Sequence, residues 1–160
     1  MRRIGLLLAT FAMMLGVMTT PSTASAAETV VDCNGQTVVD KYPVGSLGTV
    51  WLCRRDDYYF GMYVSKATMP AGRWGTAWLH RFKKNVADGT EWSCDGQVSD
   101  TNKGNGRVLP GDTWCHTPVV HTADVNVNFR VQGIVWEQQN GKWVEVTHGW
   151  TRICNRYGCY

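Results

Sequence analysis

Aromatic side chains are the residues of this sequence best suited to binding a ligand. The chain has eight Trp and six Tyr among 160 residues. Such rings supply large contact areas at little entropic cost, and flat rings stack on the faces of sugars, but rings also fill hydrophobic cores. If some of them form an exposed cluster, we expect it to be drawn from Tyr58, Tyr59, Tyr63, Trp74 and Trp78.

The C-terminal segment offers a second kind of binding element. Cys154 and Cys159 enclose only four residues, among them Arg156 and Tyr157. If the two cysteines are bonded, the loop is rigid and loses little entropy on docking, as in a protease inhibitor. The alternative is a staple that keeps the end of the chain from fraying.

Catalytic and metal-binding patterns are weak. His116 and His121 are five residues apart, which is not the helical i, i+4 spacing of a zinc site. An EF-hand beginning at Asp100 would place Gly104 and Gly111 at ligand positions. We therefore predict no catalytic residues, no metal and no cofactor. A small hydrolase with spatially assembled Asp, Glu or His residues is the alternative.

Six cysteines predict a disulfide framework. An even number after an export signal is typical of an oxidising compartment, and no paired C-x-x-C spacing supports zinc. Six cysteines allow 15 connectivities. We favour pairing of neighbours, namely Cys33–Cys53, Cys94–Cys115 and Cys154–Cys159. The second bridge would close off the long polar loop of residues 99–112, which is either a solvated, flexible loop or an exposed recognition loop that the bridge pre-organises.

The first 26 residues have the order of a cleavable secretion signal. Arg2 and Arg3 precede an apolar run from Ile4 to Met18, and small residues follow as far as Ala26. The run has 15 residues, whereas a membrane span needs roughly 20. We expect cleavage before Ala27 or Glu28, export to the extracellular space, and no membrane span afterwards.

Removal of the signal also changes the charge. Of 16 Lys and Arg, 14 remain against 13 Asp and Glu, so the net charge falls from +3 to +1. A nearly neutral domain lacks the dense positive charge that dominates nucleic-acid binding. Residues 27–160, which number 134, are long enough for one domain with its own core. We therefore expect a single β-domain that does not bind nucleic acid.

Short β-prone runs separated by Gly, Pro, Asn and Asp recur throughout this region. They predict an all-β fold, a small antiparallel sandwich or barrel of about eight strands stapled by disulfides. The predicted strands are Thr37–Lys41, Thr49–Arg54, Tyr58–Ser65, Trp74–Phe82, Glu91–Cys94, Thr113–His116, Val125–Gln138 and Lys142–Cys154.

The last two runs predict a hairpin. Asn140-Gly141 is a preferred type I′ turn, which would pair Gln139 with Lys142 and leave Gly133 as a candidate bulge. With regular pairing the core face would hold Val127, Phe129, Val131, Gly133 and Val135, opposite Cys154, Arg152, Trp150, His148 and Val146.

The run from Trp74 to Phe82 alternates in the same way. One face carries Trp74, Thr76, Trp78, His80 and Phe82, and the sequence leaves open whether this face is core or binding surface.

These patterns favour a secreted, non-catalytic binding domain that uses aromatic residues and disulfide-braced loops. The expected ligand is a cell-envelope polysaccharide or a secreted or cell-surface protein, such as a protease. A structural protein of a cell or spore surface is a further alternative.

Overall fold

The computed structural model describes residues 33–96 and 104–160. The predicted signal and part of the loop 99–112, including Asp100 and Asn102, lie outside these ranges. The strands, numbered in chain order, are β1 (Thr37–Val44), β2 (Gly48–Arg55), β3 (Tyr58–Ser65), β4 (Arg73–Lys83), β5 (Val86–Ser93), β6 (Trp114–His116), β7 (Val120–His121), β8 (Val127–Gln139), β9 (Lys142–Trp150), β10 (Cys154–Asn155) and β11 (Gly158–Cys159).

The strands form two antiparallel sheets, which confirms the all-β prediction. The first sheet has the order β1-β2-β3-β6, with β7 also paired to β3. The second has the order β11-β10-β8-β4-β5, with β9 paired to the remaining length of β8. Within the two described ranges, no helix is long and apolar enough to cross a membrane.

Three strands beyond the predicted eight are two-residue segments, and one predicted strand is interrupted. The run Lys142–Cys154 is wrong as a single strand, because β9 ends at Trp150 and β10 begins at Cys154. Strand β5 begins five residues before its predicted start. It begins there because Lys84 and Asn85 both adopt positive φ, of 50° and 65°, and close a tight turn after β4.

Both sheets contribute to one hydrophobic core. The first sheet supplies Val44, Val50, Leu52, Tyr59 and Tyr63, and the second supplies Ala77, Leu79, Phe129, Val131 and Val135. A smaller cluster of Cys33, Cys53, Phe60 and Met62 packs against Trp51.

The three disulfides join Cys33 to Cys53, Cys94 to Cys115 and Cys154 to Cys159. This is the neighbour pairing expected from the sequence. Cys94 follows β5 of the second sheet and Cys115 lies in β6 of the first, so this bridge ties the two sheets together.

The β8–β9 hairpin has the predicted turn but not the predicted register throughout. Asn140 and Gly141 have positive φ, and Gln139 pairs with Lys142. The regular pairing ends at Trp136 opposite Glu145, because the next pair is Val135 opposite Thr147. Val146 is therefore the extra residue of a β-bulge. Gly133 does not mark the bulge and pairs with Gly149 instead.

The bulge reverses which residues of β9 face the core. Regular pairing predicts Val146, His148 and Trp150 on the core face, and this prediction is wrong. Thr147 and Gly149 take those positions, whereas Trp150 lies opposite Gln132 on the outer face. The core assignment of β8 holds, since its five predicted core residues are all buried.

Tyr63 is a core residue rather than a surface one. Its ring lies against Gly48 and Gly75, where a Cβ would come within 2.7 Å of ring carbons, and the side chain is fully buried. Burial raises the pKa of Tyr63 from 10.0 to about 12, because ionisation would place a charge among apolar groups.

Alkaline solution should reveal this buried hydroxyl. Between pH 10 and 12 the unfolded tyrosine is ionised while the folded one keeps its proton, so stability is full below pH 10 and falls as the pH rises through this window. The loss attributable to Tyr63 should reach about 2–3 kcal/mol. Tyr63→Phe should abolish it in urea unfolding at successive pH values, whereas exposed Tyr42→Phe should not. An unchanged alkaline loss in Tyr63→Phe would contradict this.

Candidate functional site

The outer face of the second sheet carries most of the tryptophans. Ala77 and Leu79 of β4 and Val131 and Val135 of β8 point into the core, so the residues between them point outward. Five of the eight tryptophans occupy such outward positions on three adjacent strands. We call this surface the tryptophan face, formed by Trp74, Trp78, Trp136, Trp143 and Trp150.

One end of the tryptophan face is closely packed. Trp74 stacks on Trp136 with 5.6 Å between ring centroids and meets the edge of Trp143 at 5.9 Å. The guanidinium of Arg107 lies 3.9 Å from the Trp74 ring centroid and is held by Asp95. Trp74 is therefore only 4% exposed and supports its neighbours, whereas Trp143 is 46% exposed.

The other end of the face is more open. Trp78, Gln132 and Trp150 form one row across three strands. His80 lies beside this row, 5.0 Å from Trp150 between ring centroids, and its Nδ1 is 2.8 Å from Glu91. Arg130 lies over Trp150 at 4.4 Å from the ring centroid. The Trp150 ring is thus fixed in place and half-buried.

A cleft of about 620 Å³ opens beside Trp150. This volume lies within the range of small-ligand sites, about 300–1,000 Å³. Tyr42 and Tyr160 on its wall are 52% and 58% exposed. The lining residues are Tyr42, Arg130, His148, Gly149, Trp150, Thr151, Arg152, Ile153 and Tyr160.

An ion pair supports the wall of this cleft. Asp40 of β1 accepts hydrogen bonds from the backbone N–H of Arg152 at 2.7 Å and from its Nη2 at 3.0 Å. Burial alone would raise the pKa of Asp40, but the hydrogen bonds and positive charge of Arg152 outweigh it and lower the pKa. The charge of Arg152 is therefore balanced within the protein. His148 is similarly placed, 2.6 Å from Glu145.

Several polar atoms of the tryptophan face are buried without hydrogen-bond partners among the described residues. They are Nε1 of Trp74, Trp78 and Trp136 and Nε2 of His80. An unpaired buried polar group costs about 1–3 kcal/mol. Nε1 of Trp51 in the first sheet is in the same state, so this feature is not confined to the tryptophan face.

The structure separates the residues predicted to bind a ligand. Trp74 and Trp78 lie on the tryptophan face, but Tyr59 and Tyr63 belong to the core and are 3% and 0% exposed, so neither presents a ring to a ligand. Tyr58 lies at the start of β3 in the first sheet, against His121 of β7.

The C-terminal loop borders a second cleft, which shares Arg152 with the first. Arg156 and Tyr157 lie between β10 and β11, where they line a smaller cleft of about 360 Å³ that also contains Arg54. Arg156 is held by Asp57 at 2.6 Å, whereas Tyr157 is 76% exposed. The loop is a tight hairpin turn rather than an extended binding segment.

Sequence reasoning missed half of the site. Trp136 and Trp143 follow from the hairpin turn, since regular pairing places Trp136 on the outer face of β8. Trp150 was hidden by the bulge, because regular pairing places it in the core. Tyr42, Arg130 and Tyr160 reach the cleft only through the packing of β1 and the C-terminal segment against the second sheet.

The histidine and metal candidates do not form a reactive cluster in the described part of the chain. His116 lies opposite Met62 and His121 opposite Tyr58, positions about 13 Å apart along β3. The ligand atoms of Asp40, Cys154 and Cys159 lie close together, but both cysteines are bonded in a disulfide and offer no thiolate.

Comparison of the chain with protein-family models, curated proteins and solved structures gives no match.

Proposed function

We propose that the protein is a secreted, non-catalytic domain that binds an extracellular polysaccharide. The observation that carries the proposal is the tryptophan face, which borders the cleft at Trp150. The signal-like segment 1–26 supports export, and three disulfides fit an extracellular protein.

A polysaccharide suits the shape and chemistry of this surface. Trp143 and Trp150 lie on the same strand, seven residues apart, so a chain of several sugar rings is needed to contact both. Exposed rings stack on sugar faces, while Arg130 and His148 supply polar groups for hydroxyls. A rigid aromatic surface needs little reorganisation on binding.

The alternatives receive less support from the geometry. A protease-inhibiting loop must present an extended segment, but Arg156 is tied to Asp57 within a hairpin turn. A hydrolase needs converging acid and base groups, yet the lining of the main cleft includes no Asp or Glu.

Binding should depend on Trp150. We expect the mature, oxidised protein to sediment with at least one of insoluble peptidoglycan, chitin or cellulose, or to bind soluble pectate or mannan with a change in tryptophan fluorescence. Trp150→Ala should weaken binding by about 30-fold, the usual loss of roughly 2 kcal/mol for a central aromatic contact.

Trp114→Ala is the matched control. Trp114 is 40% exposed and stacks on His116, but it lies in the first sheet. Its loss should leave affinity unchanged. Equal weakening by both substitutions, or no binding to any polymer, would overturn the proposal.

A further inference from the structure

Arg130 differs from most arginines of the described chain in its charge balance. Of the eight arginines there, five form ion pairs with carboxylates: Arg73, Arg81, Arg107, Arg152 and Arg156. Arg130 has no carboxylate partner among the described residues, although it is half-buried. Burial lowers its pKa, because removal from water disfavours the charged form.

The guanidinium of Arg130 is held by neutral groups. Its Nε donates to the backbone oxygen of Thr151 at 2.9 Å, and its plane lies over Trp150. The terminal Nη groups make no hydrogen bond within the described residues. The contacts with Thr151 and Trp150 thus orient the guanidinium, and its Nη groups remain available to a ligand in the cleft.

The surroundings leave this charge uncompensated. No Asp or Glu side chain lines the cleft, Arg152 is balanced by Asp40, and His148 lies beside Glu145. A half-buried arginine without a counter-ion is well suited to binding an anion, because its fork matches the oxygens of carboxylate or phosphate.

We infer that the ligand is an acidic polysaccharide, whose carboxylate or phosphate binds Arg130 while an adjacent sugar ring stacks on Trp150. This inference depends on the proposed function and specifies the ligand class of the same site. In this arrangement Arg130 binds the anionic group and Trp150 binds the neighbouring sugar ring.

Pairs of acidic and neutral polymers with the same sugar backbone separate binding of the charge from binding of the sugar rings. Polygalacturonate is compared with fully methyl-esterified pectin, and phosphomannan with neutral mannan, by titration of tryptophan fluorescence with the mature, oxidised protein. We expect at least one acidic polymer to bind 10-fold or more tightly than its neutral partner, and raised salt to weaken this binding. The carboxylate and phosphate arms identify which anion is preferred.

Variants assign the effect to Arg130. Arg130→Gln should weaken binding of the acidic polymer by about 10-fold to 100-fold, the usual range for one charged hydrogen-bonded contact. Arg130→Lys keeps the charge but loses the fork, so its affinity should lie between those of the wild type and Arg130→Gln. This variant also guards against misfolding of Arg130→Gln. Arg55→Gln removes the same charge from β2, away from the cleft, and should have no effect.

The outcomes distinguish this inference from the proposed function. Equal binding of acidic and neutral polymers, with Trp150 still required, would overturn the inference and leave the proposed function standing. Equal losses for Arg130→Gln and Arg55→Gln would indicate general charge attraction and also overturn it. No binding to any polymer would overturn both.

Discussion

Replacing Cys94 and Cys115 together by alanine should lower the free energy of unfolding by about 3 kcal/mol. The bridge closes a 21-residue separation and joins the end of β5 to β6 in the other sheet. In the chain-entropy model a loop of this length contributes about 3 kcal/mol, and both cysteines are fully buried, so truncation also loses packing. This is a large part of the 5–15 kcal/mol stability of typical domains.

Urea unfolding of the oxidised proteins would measure this loss. The double replacement of Cys154 and Cys159 is the matched control, because that bridge spans only five residues within one sheet. Its removal should cost about 2 kcal/mol in the same model and leave the two sheets joined. A larger loss from the short bridge would contradict the assignment of Cys94–Cys115 as the main link between sheets.

Gly149→Ala should destabilise the protein by about 2–3 kcal/mol although it adds one methyl group. A Cβ at Gly149 would overlap the backbone carbonyl of Pro43 and lie 3.3 Å from the Cα of Val44. Backbone atoms cannot rotate away as a side chain can, so β1 would have to move from β9, at the usual cost of overpacking. Gly133, the cross-strand partner of Gly149, also lies against Val44, where a Cβ would come within 2.7 Å of the side-chain Cγ2.

The same substitution should disturb ligand binding, because Gly149 and Tyr42 both line the cleft. Val144→Ala is a suitable comparison on the same strand. Val144 is 41% exposed, and its truncation should change stability by less than about 0.5 kcal/mol, as for most surface positions. Gly149→Ala with wild-type stability in urea would show that the two sheets do not depend on this close approach.

Much of the local structure follows from the sequence because local chemistry dictates it. Asn140-Gly141 tolerates the positive φ that a two-residue hairpin requires, so turn and initial pairing were predictable. Alternation in β8 identified its core face correctly. The turn at Lys84 and Asn85 was missed, because Lys is not a turn residue although Asn is, and both adopt positive φ there.

The exposure of each aromatic ring depends instead on tertiary packing. Nothing in the local sequence distinguishes Tyr59 and Tyr63 from surface aromatic residues. Both are nevertheless in the core, where Gly48 of β2 and Gly75 of β4 leave space for the Tyr63 ring. Sequence alternation distinguishes two faces of a strand but does not show which face meets the other sheet. In β4 the face that meets the other sheet is the one with Ala77 and Leu79, which are small and apolar enough to pack inward.

The sequence by itself determined an all-β chain with an Asn-Gly hairpin and a core face on β8, since each depends on residues near one another along the chain, and it favoured the pairing of its cysteines without fixing it. Tertiary structure decided the candidate site. One extra residue, Val146, shifts the pairing of β9 and turns Trp150 from the core to the outer face. The physical reason is the two-residue period of a strand: a single bulge reverses the side chains of the strand beyond it, and here it places Gly149 against β1, where a Cβ would not fit.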